Sequence, residues 1–289
     1  MTTPANLPGQ LRSVAETLAT EAAEFVRRRR AEVFGADRLI DAAIQTKSSP
    51  TDPVTVVDTE AEALLRRRLA QLRPGDAVLG EEGGGPGDVS GREPDAVTWV
   101  LDPIDGTVNF MYAIPAYAVS VAAVVGGVSK AGAVADIVGG RVYSAGAGLG
   151  AHVTGNGGPE RLRCTAVNDL SVSLLGTGFG YSARRRAAQA TLLGQLLPVV
   201  RDVRRIGSAA LDLCMVGAGR LDAFYEHGLK RWDYAAGALV AAEAGAQVLL
   251  PDPDQPVDGG GLVVAAASGI ADELIAALAR FGGLAPIAL

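Results

Sequence analysis

Cysteine and histidine are scarce in this chain of 289 residues, which contains two of each. The cysteines are Cys164 and Cys214, and the histidines are His152 and His227. Zinc sites need clusters of these side chains at short spacings, and disulfide frameworks need several cysteines. The composition therefore argues against both kinds of site.

Long apolar runs are also missing. The most apolar stretches are interrupted by Lys130 or Glu243, and none reaches the roughly 18 residues of a membrane-spanning helix. The N-terminus lacks the basic segment followed by an apolar segment that is typical of a secretory signal. We therefore expect a cytoplasmic protein with no membrane partner.

Positive charge is in deficit, because 26 Lys and Arg residues face 32 Asp and Glu residues, giving a net charge of −6. The arginine runs at 27–30, 66–68 and 184–186 fall in or beside expected helices, where a solvated face explains them. General nucleic-acid binding is therefore disfavoured. An anionic substrate stays compatible, because bound metal ions can reverse the sign of the local charge.

Hydrophobic residues make up 48% of the chain, which is enough for one large domain or two lobes. Apolar spacing predicts helices over 7–34 and 55–72, joined by a polar loop at 40–54. A short strand is expected at 77–80, and Val- and Ala-rich segments over 116–154 predict a meander of strands.

The second half of the chain alternates between strand and helix patterns. Strands are predicted at 173–177, 202–206, 221–226, 246–250 and 262–267, with helices at 183–200, 208–218, 233–244 and 270–281. This alternation indicates a second sheet with helices packed on it. The turn cluster at 154–159 is the expected boundary between two lobes, 1–157 and 158–289.

The most informative stretch is the run 99–110, in which an apolar strand pattern at 97–101 is followed by Asp102 and Asp105. Pro103 cannot donate to a sheet and disfavours helix at the residue before it, so we expect a turn there. Gly106 then allows backbone N–H groups to approach a ligand closely. Hard oxygen ligands followed by exposed N–H donors suit a divalent cation that holds a phosphate.

Three further acids fall at the expected ends of strands or starts of helices, namely Asp58, Glu81 and Asp233. If several of these acids converge, they repel one another unless a cation intervenes, and an oxygen-only ligand set favours Mg²⁺ or Mn²⁺ over zinc. Each acid alone has a simpler explanation as a helix cap or a solvated turn residue. That explanation is weakest for the pair Asp102 and Asp105.

Four blocks carry a family resemblance over nearly the whole chain. They are Lys47-Ser48-Ser49-Pro50 through Asp58, Gly80-Glu81-Glu82, the run 99–110, and Trp232-Asp233-Tyr234-Ala235-Ala236-Gly237. The last two blocks are highly specific together. With these blocks the chain resembles the inositol monophosphatase family of Mg²⁺-dependent phosphatases, in particular its bacterial inositol-1-monophosphatases.

The resemblance implies metal ligands at matching positions. Glu81, Asp102 and the carbonyl of Ile104 would hold a first metal. Asp102, Asp105 and Asp233 would hold a second, and Glu81 would hold a third through waters. The implied ions are two or three Mg²⁺, with Mn²⁺ as an alternative and Li⁺ as an inhibitor.

The resemblance also implies catalytic roles. Thr107, paired with Asp58, and Glu81 would orient the attacking water. The N–H groups of Gly106 and Thr107 would hold the phosphate. Lys47 would lie on a mobile loop that closes over the metals.

Substrate contacts follow from the same resemblance. Glu226 matches the residue that accepts hydrogen bonds from the inositol ring, and the turn Gly207-Ser208-Ala209 matches the lining of the same pocket. Asp105 and Asp233 are expected to contact the substrate as well as the metal.

The implied fold is of the mixed α/β class, a layered αβαβα sandwich of the inositol monophosphatase and fructose-1,6-bisphosphatase type. Its N-terminal lobe would carry two helices on an antiparallel sheet, and the active site would lie between the lobes. The implied reaction is hydrolysis of myo-inositol 1-phosphate by metal-activated water, in a homodimer that takes a small phosphate ester. Two alternatives stay open. One is the same chemistry on fructose 1,6-bisphosphate, histidinol phosphate or 3′-phosphoadenosine 5′-phosphate, and the other is a regulatory role in binding RNA or the transcription machinery.

One further motif suggests a different phosphatase chemistry. Cys214 and Arg220 have the Cys-x5-Arg spacing of cysteine phosphatases, in which the thiolate is the nucleophile. Cys214, however, lies in an apolar helical run, where a buried structural cysteine is the expected outcome.

Overall fold

The computed structural model describes residues 7–35, 44–46, 53–85, 96–155, 157–252 and 260–287. These residues form five layers, in which two sheets alternate with three pairs of helices. A hydrophobic cluster fills each of the four spaces between neighbouring layers. The predicted αβαβα sandwich of the mixed α/β class is therefore confirmed.

The first sheet has seven strands in the order β3-β4-β5-β6-β7-β8-β9. Their bounds are Ala77–Gly80 (β3), Val97–Asp105 (β4), Ala118–Val125 (β5), Val128–Asp136 (β6), Arg141–Gly146 (β7), Gly150–Gly155 (β8) and Gly158–Arg161 (β9). Neighbours are antiparallel except β3 and β4, which are parallel, so the predicted all-antiparallel sheet is wrong at this edge. Because parallel strands end at the same side of a sheet, the segments that follow β3 and β4 emerge together.

The outer face of this sheet is covered by α1 (Leu7–Phe34) and α2 (Val56–Leu72). Alanines and leucines of α1 recur at helical spacing and are fully buried against the sheet. Thr55 caps α2, since its hydroxyl accepts the N–H of Val57 at 3.2 Å.

Residues predicted as a polar loop at 40–54 include two short strands, β1 (Ile44–Thr46) and β2 (Pro53–Thr55), which pair antiparallel. The loop prediction is wrong for these residues, where Ile44, Thr46, Val54 and Thr55 favour extended backbone. Lys47 lies outside the described residues.

The second sheet has the order β11-β10-β12-β14-β13. Its strands are Leu174–Thr177 (β10), Asp202–Arg204 (β11), Ala223–His227 (β12), Ala246–Leu249 (β13) and Leu262–Ala267 (β14). Between the two sheets lie α5 (Ala209–Gly217) and α6 (Arg231–Glu243), and the far face is covered by α4 (Ala183–Leu196) and α7 (Ala271–Arg280).

Several predicted bounds need correction. Helix α4 ends at Leu196 and not at 200, because Pro198 lies in the 3₁₀ turn that follows it. Helix α6 begins at Arg231, two residues before the predicted start. The predicted boundary between lobes 1–157 and 158–289 leaves β9 in the second segment, although β9 pairs with β8 of the first sheet.

The most consequential correction concerns the motif at 99–110. Strand β4 does not end at Leu101 but continues to Asp105, and the pairing register with β5 shifts between Asp102 and Asp105. Pro103 is accommodated in this irregularity, where a ladder hydrogen bond is not required. The expected turn comes later, at Gly106, whose φ of 93° lies in the left-handed region that favours glycine.

Candidate active site

Three aspartates meet at the end of β4 and the start of α6. Asp102, Asp105 and Asp233 each offer a carboxylate oxygen within 4.8 Å of the others. Asp102 and Asp105 are held by the irregular end of β4, while Asp233 lies in the first turn of α6. The suggested cap at Asp233 needs correction, because the N-cap of α6 is Lys230 and Asp233 is the third helical residue. Its side chain accepts the backbone N–H of Lys230 at 2.6 Å, as the third residue of a capping box does.

Glu81 joins the cluster from the neighbouring strand. Gly80, the last residue of β3, is opposite Leu101 of β4, so the residues that follow each strand lie side by side. The N–H of Glu81 donates to the carbonyl of Leu101 at 3.2 Å. The carboxyl groups of Glu81 and Asp102 are hydrogen-bonded to each other.

The four acids create an electrostatic problem that a cation resolves. Burial raises the pKa of Asp102 well above its usual value, and the charges of Glu81, Asp105 and Asp233 raise it further. Burial likewise raises the pKa of Asp233, with Glu81 and Asp105 adding to the effect. Burial raises the pKa of Asp105 to about 6, and the hydrogen bonds from Ser208 and Ala210 oppose this rise. A hard divalent cation fits this oxygen-only donor set, which includes no histidine or thiol.

Asp105 links the two lobes. Its Oδ2 atom accepts the hydroxyl of Ser208 at 2.5 Å and the N–H of Ala210 at 2.7 Å, so the start of α5 holds it. Ser208 is also the N-cap of α5, since its hydroxyl oxygen accepts the N–H of Leu211 at 3.3 Å. The positive end of the helix favours the ionised form of Asp105.

Thr107 and Asp58 form a second polar group beside the metal cluster. The Thr107 hydroxyl lies 3.2 Å from Asp58 Oδ1 and 3.0 Å from the carbonyl oxygen of Ile104. Thr55 supplies two further hydrogen bonds to Asp58 Oδ2, from its N–H at 3.0 Å and its hydroxyl at 2.5 Å. Burial raises the pKa of Asp58 to about 7, against the opposing effect of Thr55.

Gly106 is closely packed between the lobes. A Cβ atom built there would lie 3.0 Å from the carbonyl oxygens of Ala116 and Gly207. The side-chain amide of Asn109 donates to the carbonyls of Ala116 at 2.7 Å and Ile206 at 2.9 Å. These contacts fix the turn 205–209 against the start of α3 (Thr107–Met111).

A cavity of about 780 Å³ contains the cluster. Most of the predicted site residues line it together, namely Glu81, Asp102, Ile104, Asp105, Gly106, Thr107, Gly207, Ser208, Ala209, Glu226 and Asp233. Asp58 does not line the cavity and reaches it through Thr107. Residues from both predicted lobes line this cavity.

Glu226 lies on β12 across the cavity from β4. Burial raises its pKa to about 8; Arg205 opposes this rise and Asp105 adds to it. Gly178 is packed against it so tightly that any side chain there would overlap the carboxyl group. The glycine therefore leaves the room that this carboxyl group occupies.

Sequence reasoning missed several residues of the site. Arg205 and Asp212 line the cavity, and Asp212 Oδ1 is buried with no hydrogen-bond partner among the described residues. Burial raises the pKa of Asp212 well above its usual value. Glu62, four residues after Asp58, is buried beneath the segment that carries Glu81. The (i, i+4) spacing from Asp58 was the available signal, because it places both acids on one helix face.

Cys214 has no part in this cavity. Its side chain is fully buried in the cluster between the first sheet and α5 and α6. Burial raises the pKa of the thiol well above its usual value, which suppresses the thiolate that a cysteine phosphatase needs. The interpretation as a buried structural cysteine agrees with this environment.

The comparisons with known proteins agree with the fold. The model of the inositol monophosphatase family matches residues 8–283. An inositol-1-monophosphatase of Mycobacterium leprae is 72% identical over 289 residues, covering 99% of each chain. The solved structure of Mycobacterium tuberculosis SuhB has a TM-score of 0.81 at 62% identity, covering 96% of this chain and 99% of that one. The Nus factor SuhB of Escherichia coli is 39% identical over 206 residues, covering 71% of this chain and 74% of that protein.

The chain belongs to the inositol monophosphatase family, and it is accordingly a phosphoric monoester hydrolase of a metal-dependent kind. The acidic cluster of Asp102, Asp105 and Asp233 is where its residues can bind metal. Across the part of the chain that the structure describes, no helix combines the length and apolarity needed to cross a bilayer.

Proposed function

We propose that this chain hydrolyses myo-inositol 1-phosphate to inositol and phosphate with Mg²⁺ as its metal. The observation that carries the proposal is the convergence of Asp102, Asp105 and Asp233 in one cavity with Glu81 beside them. We choose this substrate because the names of similar proteins state it, and one of them is 72% identical over nearly the whole length. Mg²⁺ is the hard, abundant ion that suits carboxylate oxygens and phosphate together.

The proposed ligand sets divide the acids between two ions. Glu81, Asp102 and the Ile104 carbonyl hold the first, and Asp102, Asp105 and Asp233 hold the second. We leave room for a third ion held by Glu81 through waters, and for Mn²⁺ in place of Mg²⁺. When bound, the ions supply a water of lowered pKa and a counter-charge for the phosphate and the leaving oxygen.

The remaining groups position the reactants. Asp58 keeps the Thr107 hydroxyl beside the Ile104 carbonyl, where with Glu81 it orients the attacking water. The N–H groups at the start of α3, from Gly106 and Thr107, are free of the helix ladder and suit a phosphate oxygen. In-line attack requires this kind of fixed geometry and no side-chain nucleophile.

Substrate choice falls to the far wall of the cavity. Glu226 faces the position where the polyol ring would lie, with Gly207, Ser208 and Ala209 forming the adjoining surface. The carboxyl group of Glu226 exchanges hydrogen bonds with ring hydroxyls. Arg205 moderates the charge of this wall through its interaction with Glu226.

A substrate panel tests the proposal. Release of inorganic phosphate is measured at saturating Mg²⁺ from inositol 1-phosphate, fructose 1,6-bisphosphate, histidinol phosphate and 3′-phosphoadenosine 5′-phosphate, with and without millimolar Li⁺. We expect the highest kcat/KM for inositol 1-phosphate and inhibition by Li⁺. A higher kcat/KM for another ester would assign the same chemistry to that substrate, and turnover unchanged by Li⁺ would contradict the inhibitory site.

A second candidate is a regulatory role in transcription, which the Nus factor SuhB of Escherichia coli favours by its name and 39% identity. Pull-down of RNA polymerase by the full chain, with the metal chelated and then restored, tests it. Capture in both conditions would support a binding role beside catalysis.

We also propose a homodimer, which sedimentation equilibrium tests directly.

A further inference from the structure

Helix α2 presents two buried carboxyl groups one turn apart on the same face. Asp58 and Glu62 are 1% and 2% exposed, so neither is an ordinary surface acid. Buried acids are retained only where hydrogen bonds compensate for lost hydration. Asp58 is accounted for by Thr55 and Thr107. Glu62 reaches a different part of the site.

The Glu62 carboxylate accepts two successive backbone N–H groups. Its Oε2 atom accepts the N–H of Glu82 at 2.7 Å, and its Oε1 atom accepts the N–H of Gly83 at 2.8 Å. Consecutive N–H groups that converge on one anion form a backbone nest. Arg66 completes the arrangement, donating to Glu62 Oε1 at 2.7 Å and to the carbonyl of Gly84 at 2.5 Å.

The turn that carries Glu81 is wrapped around this carboxylate. The N–H of Gly80 donates to the carbonyl of Gly84 at 3.0 Å, which closes residues 80–84 into a loop. A Cβ atom at Gly83 would lie 2.7 Å from Glu62 Oε1, and one at Gly80 would lie closer still. Both glycines are therefore needed for the loop to close on Glu62.

We propose that Glu62 is a positioning residue for the metal site, which fixes the direction in which Glu81 leaves β3. The proposal rests on the proposed metal-dependent function. The Glu62 carboxylate accepts the N–H groups of the two residues that follow Glu81, while the N–H of Glu81 itself donates to the carbonyl of Leu101. Helix α2 therefore positions both groups that orient the attacking water, Thr107 through Asp58 and Glu81 through Glu62.

The test is Glu62→Gln, which keeps the side-chain length but replaces one acceptor oxygen with a donor that opposes a backbone N–H. Binding of Mn²⁺ to the full-length, substrate-free protein is measured by calorimetry, and half-saturating Mg²⁺ and kcat are measured with inositol 1-phosphate. Loss of a group that orients a metal ligand weakens metal binding about 10- to 100-fold. We expect a weakening of that size in both metal constants, with a smaller fall in kcat at saturating Mg²⁺.

The matched control is Glu60→Gln on the same helix. Arg29 donates to the two oxygens of Glu60 at 2.7 and 3.0 Å, so this substitution also weakens an arginine pair, but Arg29 lies on α1 and not on the loop that carries Glu81. The metal constants of Glu60→Gln should equal those of the wild type. A purely structural role for Glu62 would lower Tm and leave Mn²⁺ affinity unchanged in the folded protein, and that result would overturn the proposal.

A second variant provides the test if Glu62→Gln does not fold. Gly83→Ala displaces the Glu62 carboxylate from the other side and leaves the charges of α2 in place. It should also weaken Mn²⁺ binding, and unchanged affinity in this variant would overturn the proposal. A wild type that binds no Mn²⁺ and releases no phosphate would instead refute the proposed function, which separates the two failures.

Discussion

Individual carboxyl groups form the proposed metal site, and burying each of them costs free energy. Asp102 and Asp105 are buried and Asp233 is half-buried. All three line the cavity, and their carboxylate oxygens lie within 4.8 Å of one another. In the absence of a cation their pKa values rise, so folding retains protons on them. Metal binding must displace those protons, so metal affinity increases with pH.

Asp102→Asn tests this balance at one residue. In the metal-free site Asp102 must either take up a proton or repel its acidic neighbours. The substitution would remove that cost while keeping an oxygen for the N–H of Ile104, which Asp102 now accepts at 3.0 Å. We expect the metal-free Tm to rise by roughly 2 °C, about 1 kcal/mol for a chain of this size, and phosphate release to fall to background. Calorimetry in EDTA checks the first and an assay in Mg²⁺ the second. A lower metal-free Tm would show that the charge is stabilising and would contradict the account.

Glu226→Ala tests substrate recognition. With a pKa raised to about 8, the Glu226 carboxyl group is largely protonated at pH 7 and both donates and accepts hydrogen bonds. Two neutral hydrogen bonds contribute about 0.5–1.5 kcal/mol each, so kcat/KM for inositol 1-phosphate should fall roughly 5- to 160-fold.

Ethyl phosphate, which lacks the ring, serves as the control substrate. Its hydrolysis should change little in Glu226→Ala, because the metal ligands and the N–H groups of Gly106 and Thr107 are intact. Glu226→Gln should retain most activity on inositol 1-phosphate. An equal loss on both substrates would remove Glu226 from the recognition wall.

At the scale of elements, the site is built from chain ends. The ends of β3 and β4 and the starts of α3, α5 and α6 meet in one cavity. Strand ends supply acids, and helix starts supply free N–H groups and a positive dipole end. Helix α5 is the clearest case, because its first turn binds Asp105 from the opposite lobe.

Ser208→Ala tests the contribution of α5. The substitution removes the N-cap of the helix, which costs about 0.5–2 kcal/mol, and also one hydrogen bond to Asp105. We expect Mn²⁺ affinity to fall roughly tenfold, since a group that orients a ligand is lost. Asp169→Ala, which removes the cap of an exposed 3₁₀ turn, is the control. Equal Mn²⁺ affinity in the two variants would show that Ser208 serves the helix alone.

The elements also show what the sequence predicts well. The local sequence around three of the acids is enough to single them out. Asp102 and Asp105 follow an apolar run, and Asp233 lies in the first turn of a helix. Glu62 and Asp212 are not singled out in this way, because their burial depends on which loop or strand packs over the helix. The bounds of β4 failed for a related reason, since the pairing with β5 carries the strand past Pro103.

At the scale of the whole molecule, the two sheets share α5 and α6, and the cavity lies where these layers meet β4. The layered fold followed from the order of predicted elements and the family resemblance. The parallel pairing of β3 with β4 did not, because strand direction in a sheet edge depends on the connection through residues 81–96. That pairing is what places Glu81 beside Asp102.

The buried acids make the stability of the metal-free protein depend on pH. Folding raises the pKa of Asp105 to about 6, Asp58 to about 7 and Glu226 to about 8. A raised pKa stabilises the fold at low pH, and that stability is lost as pH rises through the folded-state value. Without metal, Tm should therefore be higher at pH 5 than at pH 8.

Buried histidine acts in the opposite direction and is outweighed. Burial lowers the pKa of both His152 and His227, which favours the fold at higher pH, but the acids with raised pKa values outnumber them. Calorimetry in EDTA from pH 5 to pH 8, repeated with saturating Mg²⁺, checks the prediction. Mg²⁺ should flatten or reverse the trend because it binds the ionised carboxylates. A metal-free Tm that falls on acidification across this range would contradict the assignment.

If the acidic cluster is the metal site, the protein hydrolyses a phosphate ester only when the cluster holds metal. The most direct measurement is phosphate release from inositol 1-phosphate by EDTA-treated wild-type protein as Mg²⁺ is added back. We expect no turnover in EDTA and a saturable rise to full activity with Mg²⁺. Undiminished turnover in excess EDTA would contradict this expectation.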